Sequence, residues 1–324
     1  MPRLVALPLV AGILLAPLSA CGQESGRTVS PVTAGQRIGM HSHRLGERVE
    51  LDVFVPPRWT VPGQAGRFIT VYVLDGDASY LHAVSAVQSL VWEEDMPPAI
   101  VVGVRNRNLD RDFTPGVADA ALVPRSFRSS GGADAFLDFL EQEAIPLIDS
   151  AYPTLPYRVI LGHSLGGLLV MHALTVRPSL FSAHIALDPS SWWEGGAAVR
   201  RLVAALKRPG IPTPRFVAIE TSGTLLRASW PEIREAIGNR GIAHFFEMRD
   251  ESHTGMLFPG RHRALRALFT EYVPRSRADT AQRSLAALEA QYAELSRRWG
   301  FPVAIPGFAL ASAVRQDSLR GRRR

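Results

Sequence analysis

The sequence predicts an α/β fold: a mostly parallel central sheet with an antiparallel N-terminal edge and helices on both faces. Two observations carry this expectation. From Phe68 onward, short β-rich apolar runs alternate with helix-like segments, and the runs are continuously apolar, as strands covered on both faces are. Before them, Ile38 to Val55 alternates apolar and polar residues around a turn near Leu45-Gly46-Glu47, the pattern of an antiparallel hairpin.

The chain has 324 residues, 46% of them apolar and 20% charged, enough to bury a large core. Its formal charge of +6 is almost all arginine, since Lys207 is the sole lysine, and the arginines are spread along the chain. That distribution speaks against a nucleic-acid surface, where cations cluster on one face. The dense terminal group Arg320, Arg322, Arg323 and Arg324 reads as a solvated tail.

Arg3, the apolar run Leu4 to Leu18 and the small residues Ser19-Ala20 read as a signal peptide, too short and too interrupted by Pro8 and Pro17 to span a bilayer. The one cysteine of the chain, Cys21, excludes an intramolecular disulfide and any multi-cysteine metal site. Leu18-Ser19-Ala20-Cys21 resembles the bacterial lipobox, which implies lipidation at Cys21, export and anchoring in the cell envelope; ordinary secretion is the alternative. Gly22 to about Arg37 is polar and suits a tether.

Along the hairpin, Leu51, Val53 and Val55 share one face, and Pro56-Pro57 ends the strand. Strands follow at Phe68–Leu74, Ala99–Val104, Tyr157–Leu161, Ala183–Leu187, Arg215–Ile219 and His244–Met248. Helices are expected at Ala133–Ser150, kinked or shortened by Pro146, and at Leu165–Val176, Ala197–Lys207 and Pro231–Ile237. Ala278–Arg298 has Leu285, Leu288, Tyr292 and Leu295 at helical spacing and reads as a helix packed back on the domain. The stretch after Pro302 reads as irregular.

Gly162-His163-Ser164-Leu165-Gly166-Gly167 lies between an apolar strand and an amphipathic helix, the context in which G-x-S-x-G forms a nucleophile elbow. There Ser164 sits on a sharp strand-to-helix turn, with a helix N-terminus aimed at a developing oxyanion. Serine needs a base, and in this arrangement the order is Ser, acid, His. His253 follows the last strand candidate, in the loop Asp250 to Gly255, and is the expected base. His163 beside the nucleophile is read as pointing away. His172 reads as packing, His184 sits at the wrong strand end, and the Arg261-His262-Arg263 stretch reads as solvated. For the acid, Glu220 at the end of Arg215–Ile219 is best placed and Asp188 is second; a Ser–His dyad is the third possibility. The oxyanion donors expected are the N–H of Leu165 and one from Gly76 or Asp77, after Leu74.

With these come Tyr72-Val73-Leu74-Asp75-Gly76-Asp77, Val104-Arg105-Asn106, Arg111-Asp112-Phe113-Thr114-Pro115, Gly131 to Phe136, Asp188-Pro189-Ser190-Ser191-Trp192-Trp193 and Glu251-Ser252-His253. In this order they make the chain resemble the esterase family that holds esterase D, the mycolyltransferases and the enterobactin esterases, nearest to its periplasmic siderophore-esterase branch. The resemblance covers about Ile38 to Tyr272. It implies an α/β-hydrolase fold, no cofactor, ester hydrolysis through an acyl-enzyme, and Ser164 with His253 as the catalytic pair. It puts Arg105 and Arg111 on the substrate side, where guanidinium forks suit an anionic or catecholate ester; a structural ion pair is the competing reading. Trp192 and Trp193 would floor an aromatic acyl pocket or pack in the core. The segment Glu220 to Leu226 lacks the acid that some relatives carry just beyond this strand.

The organisation expected is a signal peptide at 1–20, a tether at 21–37, an α/β-hydrolase domain at 38–275 and a helical extension with a basic tail at 276–324. The function expected is a lipid-anchored esterase acting on small esters, with siderophore-type lactones the most specific candidates. Acyl transfer of the mycolyltransferase type is the alternative, and a non-catalytic binding protein on the same scaffold a third.

Overall fold

Strand and helix boundaries come from a computed structural model, which describes residues 30–56, 66–122, 124–211, 215–220, 225–238, 241–273 and 284–321. The expected signal peptide, Cys21, most of the tether and the last arginines lie outside the described residues.

The hairpin forms as β1 (Gln36–Ser42) and β2 (Glu47–Phe54), antiparallel, with Leu51 paired to Ile38. Val49, Leu51 and Val53 are buried, whereas Val55 lies beyond the strand and is 36% exposed. Then come β3 (Phe68–Leu74), β4 (Ala99–Val104), β5 (Thr154–His163), β6 (Ala183–Leu187), β7 (Arg215–Glu220) and β8 (Ile242–Glu247). The eight strands run in the order β1-β2-β4-β3-β5-β6-β7-β8. β2 meets β4 antiparallel, and every pair from β4 to β8 is parallel. The α/β-hydrolase fold predicted from the sequence is therefore present.

Continuous apolar strands serve two cores because successive side chains leave opposite faces of the sheet. Tyr72, Ile100, Val102, Ile160, Ala186 and Phe216 belong to one core cluster. Val71, Val73, Val101, Val159, Leu161, Ile185 and Val217 belong to the other. Helices α3 (Ala133–Phe139), α5 (Leu165–Val176), α6 (Trp193–Leu206) and α8 (Trp230–Ile237) contribute to the first. The second takes α1 (Gly76–Trp92), α9 (Leu257–Leu268) and α10 (Leu285–Trp299). Short helices α2 (Leu109–Phe113), α4 (Ile145–Ala151) and α7 (Leu225–Ala228) complete the set with α11 (Gly307–Gly321).

Four expectations are corrected. Ala133–Ser150 is not one helix: a π-helical stretch, Leu140–Ala144, separates α3 from α4 and ends just before Pro146, which has no N–H to give and would crowd the carbonyl four residues back. Helix α6 starts earlier than expected and carries a left-handed turn at Glu194, Gly195 and Gly196. The stretch after Pro302 is not irregular but includes α11, whose buried contacts are Ala309 and Ala313, too small to give an apolar stripe. Helices α1 and α9, absent from the sequence reading, cover the sheet face opposite α5. Residues Ala34–Arg324 form one compact unit, and Leu288, Tyr292, Leu295 and Trp299 of α10 share a core with Tyr157 and Phe269.

Candidate active site

Ser164 stands alone between β5 and α5, with φ 56° and ψ −117°. That conformation costs an L-residue about 1–3 kcal/mol and turns its side chain out of the strand-to-helix corner. The neighbouring glycines make the corner possible. A Cβ at residue 162 would stand 2.3 Å from Gly166 O, and one at 167 would stand 2.9 Å from Pro189 Cα. At 166 the nearest atom, Leu74 Cβ, would lie at 3.4 Å, so the crowded glycines are 162 and 167.

The parallel register brings the next strand end alongside. His163 pairs with Leu187 and Leu187 with Ile219, so residues 164, 188 and 220 leave the sheet side by side at its carboxyl edge. Ser164 N donates to Leu187 O at 3.0 Å, Asp188 N to Ile219 O at 2.6 Å, and Ser190 N to Ser164 O at 3.0 Å. Asp188 also has positive φ, 39°, and is buried.

From the loop between β8 and α9, His253 places Nδ1 at 2.6 Å from Asp188 Oδ2. A carboxylate there accepts the Nδ1 proton and leaves Nε2 of the neutral ring as a lone-pair nitrogen. The carboxylate that meets His253 is therefore that of Asp188, the second candidate. Glu220 closes β7, one strand over, paired with Glu247, and its side chain lies outside the described residues.

Ser164, Leu165, Asp188 and His253 line one cleft of 360 Å³ with Asp110, Phe127, Pro189, Ser190 and Trp192. Leu165 opens α5, whose first N–H groups and dipole favour an oxyanion beside Ser164. Phe127 and Trp192 stand 5.7 Å apart between ring centroids, and Trp192 is 42% exposed, so both offer apolar face to a ligand. Trp193 is fully buried at 5.5 Å from Phe127 and supports that wall from behind. The Asp110 carboxylate has no hydrogen bond or ion pair among the described residues, although its carbonyl accepts from Thr114 Oγ1. Nothing in the sequence marks Phe127, which lies in a polar loop between Ser126 and Arg128. Glu194 ties this loop to α6 through Ala118 N at 2.9 Å and Arg201 at 2.7 Å.

Gly76 and Asp77, read as second oxyanion donors, follow β3, which pairs with β5 through Val73 and Leu161, and they line a 310 Å³ cavity with Arg37, Asp52, Tyr80 and Arg105. Arg105 is held there by Asp52 at 3.3 Å, Glu50 at 3.5 Å and Asp77. Arg111 binds Asp112 at 2.7 Å and Glu47, and these two carboxylates raise its pKa further above the usual guanidinium value. Neither arginine lines the Ser164 cleft; both serve structural ion pairs. Charged side chains at such spacing look alike in sequence whether they face ligand or neighbour.

The other histidines also resolve. His172 bonds Asp134 at 2.8 Å, and His184 is buried with its pKa lowered to about 3 by desolvation. Arg261, expected to be solvated, is fully buried on α9 and donates to Ser79 Oγ at 2.5 Å. His163 turns toward the His253 loop, its Nε2 at 2.8 Å from His253 O.

The family profile described as "Putative esterase" matches residues 42–217. The siderophore triacetylfusarinine C esterase of Aspergillus fumigatus is 32% identical over 182 residues, 51% of this chain and 59% of that protein, so the chain spans less than two thirds of that relative. The siderophore enterobactin esterase of Emericella nidulans is 26% identical over 261 residues, 72% of this chain and 80% of that protein. Among solved structures, an IroE-like serine hydrolase from Shewanella oneidensis superposes with a TM-score of 0.73 at 25% identity, covering 88% of this chain and 94% of that one.

Proposed function

This chain belongs to the esterase family, and from that premise we propose that it hydrolyses carboxylic esters with Ser164 as nucleophile, His253 as base and Asp188 as the acid that orients it. The observation that carries this reading is the 2.6 Å contact between His253 and Asp188 at the rim of the cleft that holds Ser164.

In this mechanism His253 Nε2 takes the proton from Ser164 Oγ as the oxygen attacks the ester carbonyl. The oxyanion is stabilised by the N–H of Leu165 and the start of α5. Collapse breaks the C–O bond, and His253 hands its proton to the departing alcohol. Water then attacks the acyl-serine with His253 again as base, which releases the acid and restores Ser164. Asp188 keeps the ring in the Nδ1–H tautomer and offsets the charge of the imidazolium at each step.

The relatives' names support small esters of the siderophore class as substrates. The aromatic wall of Phe127 and Trp192 supports a planar or apolar group next to the scissile bond. The test is turnover of a panel of aryl esters and siderophore lactones by wild type and Ser164→Ala, with fluorophosphonate labelling alongside. Hydrolysis and labelling by wild type, both lost in S164A, are expected. No turnover of any ester and no labelling would reject the reading, and product appearing mainly on an added alcohol would identify acyl transfer instead.

We also propose export and lipid anchoring through Cys21, supported by the Leu18-Ser19-Ala20-Cys21 pattern. No helix among the described residues is long and apolar enough to cross a membrane. Mass spectrometry of the mature N-terminus is the test: acyl mass on Cys21 is expected, and an unmodified residue there rejects the anchor.

A further inference from the structure

We propose that His163, the residue before the nucleophile, is a positioning residue that holds the base His253 in register with Ser164 by donating its Nε2–H to the His253 carbonyl. The proposal rests on the esterase reading above for its effect on rate, though its geometry stands apart from it.

The loop that carries His253 is exposed over Ser252, His253, Thr254 and Gly255, and the His253 side chain itself is 51% exposed. Its other bonds are local: Gly255 N to Ser252 Oγ at 2.9 Å, Met256 N to Ser252 O at 3.1 Å and Leu257 N to Thr254 O at 3.2 Å. Among the described residues, the hydrogen bonds that tie residues 250–255 to the body of the protein both end on His253. One runs from its ring to Asp188, and the other from its carbonyl to His163. The first sets the tautomer and swing of the ring, and the second sets where the main chain stands.

Because a carbonyl can only accept, the His163 nitrogen at 2.8 Å must carry the proton. The environment keeps that ring neutral, with one N–H to give: burial, then the neighbouring His253, lowers its pKa to about 4. The two imidazoles also face each other, centroids 4.4 Å apart at 41°, so the His163 ring lies beside the ring it steadies. His163 is the last residue of β5 and Ser164 follows it directly, so nucleophile and base are referenced to one rigid strand end. A static contact of this kind matters because a misplacement of about 1 Å at the reacting groups can cost roughly 100-fold in rate.

The experiment compares His163→Phe, which keeps an aromatic ring without a donor, with His163→Gln, whose Nε2 reaches the same place and can donate. H163F is expected to lower kcat by roughly 10- to 100-fold with KM little changed, and H163Q to recover most of the loss. Wild-type kcat in H163F, or H163Q as slow as H163F, would overturn the proposal. The second readout needs neither activity nor a folded variant. Nitrogen-15 shifts of the wild-type histidine rings should show His163 protonated at Nε2 and bare at Nδ1, and the opposite tautomer would overturn the proposal. Wild type that fails to hydrolyse any ester but shows the Nε2–H tautomer would reject the esterase reading and leave the contact intact.

Discussion

His253 Nδ1 lies 2.6 Å from Asp188 Oδ2, although 65 residues separate the two in the chain. Asp188→Asn should leave the fold intact and lower kcat by about 10³- to 10⁴-fold, because an amide can hold the ring in the wrong tautomer. Glu220→Gln should stay within a few-fold of wild type. Steady-state rates on one aryl ester decide both, and the reverse ranking would return the acid role to Glu220.

The elbow glycines should differ in what they tolerate. Gly162→Ala puts a methyl 2.3 Å from a backbone oxygen, and Gly167→Ala puts one 2.9 Å from Pro189, the residue after Asp188. Each should cost about 1–3 kcal/mol through overpacking and lower activity with it. Gly166→Ala meets ordinary contact and should be neutral to slightly stabilising, since alanine favours helix by about 0.5–1 kcal/mol. Chemical denaturation of the three variants gives the ranking.

Asp110 is a carboxylate on the cleft without a partner among the described residues, and the two arginines expected to receive an anion are bound elsewhere. Removing one charge at about 4 Å in a water-like medium changes an interaction by about 1 kcal/mol. Asp110→Asn should therefore raise kcat/KM for an anionic acyl ester about 5-fold relative to a neutral one of equal size. The gain should shrink with added salt. An unchanged ratio would remove Asp110 from substrate selection.

Acid should destabilise the protein through its buried imidazoles. Burial lowers the folded pKa of His184 to about 3 and that of His163 to about 4, from 6.5. The unfolded chain therefore binds more protons between these values, so stability is fully present above pH 6.5 and is lost as pH falls toward 4 and then 3. Denaturation midpoints measured from pH 7 to 4 should fall less steeply in His184→Leu than in wild type, because its ring has no hydrogen-bond partner among the described residues to lose.

How much was legible in sequence follows the range of the interactions. Ser164 could be read because strand, turn and helix are adjacent in the chain, and the crowding that demands glycine at 162 comes from residue 166. Helix α1 was legible in principle, with Tyr80, Val84, Val87 and Val91 at helical spacing. Helix α11, buried through two alanines, was not.

The sequence by itself determined the alternating α/β layout, the antiparallel entry and the serine and histidine proposed as nucleophile and base, since periodicity and local turn chemistry express these over a few residues. Only the tertiary structure decided which carboxylate serves His253. Asp188 and Glu220 leave neighbouring parallel strands in the same register, and the path of the 249–256 loop chooses between them. It likewise sent Arg105 and Arg111 into ion pairs with β2, and turned His163 toward the loop it steadies. Those outcomes depend on contacts across the sheet, where side chains of the same charge and spacing can meet either a ligand or a neighbour.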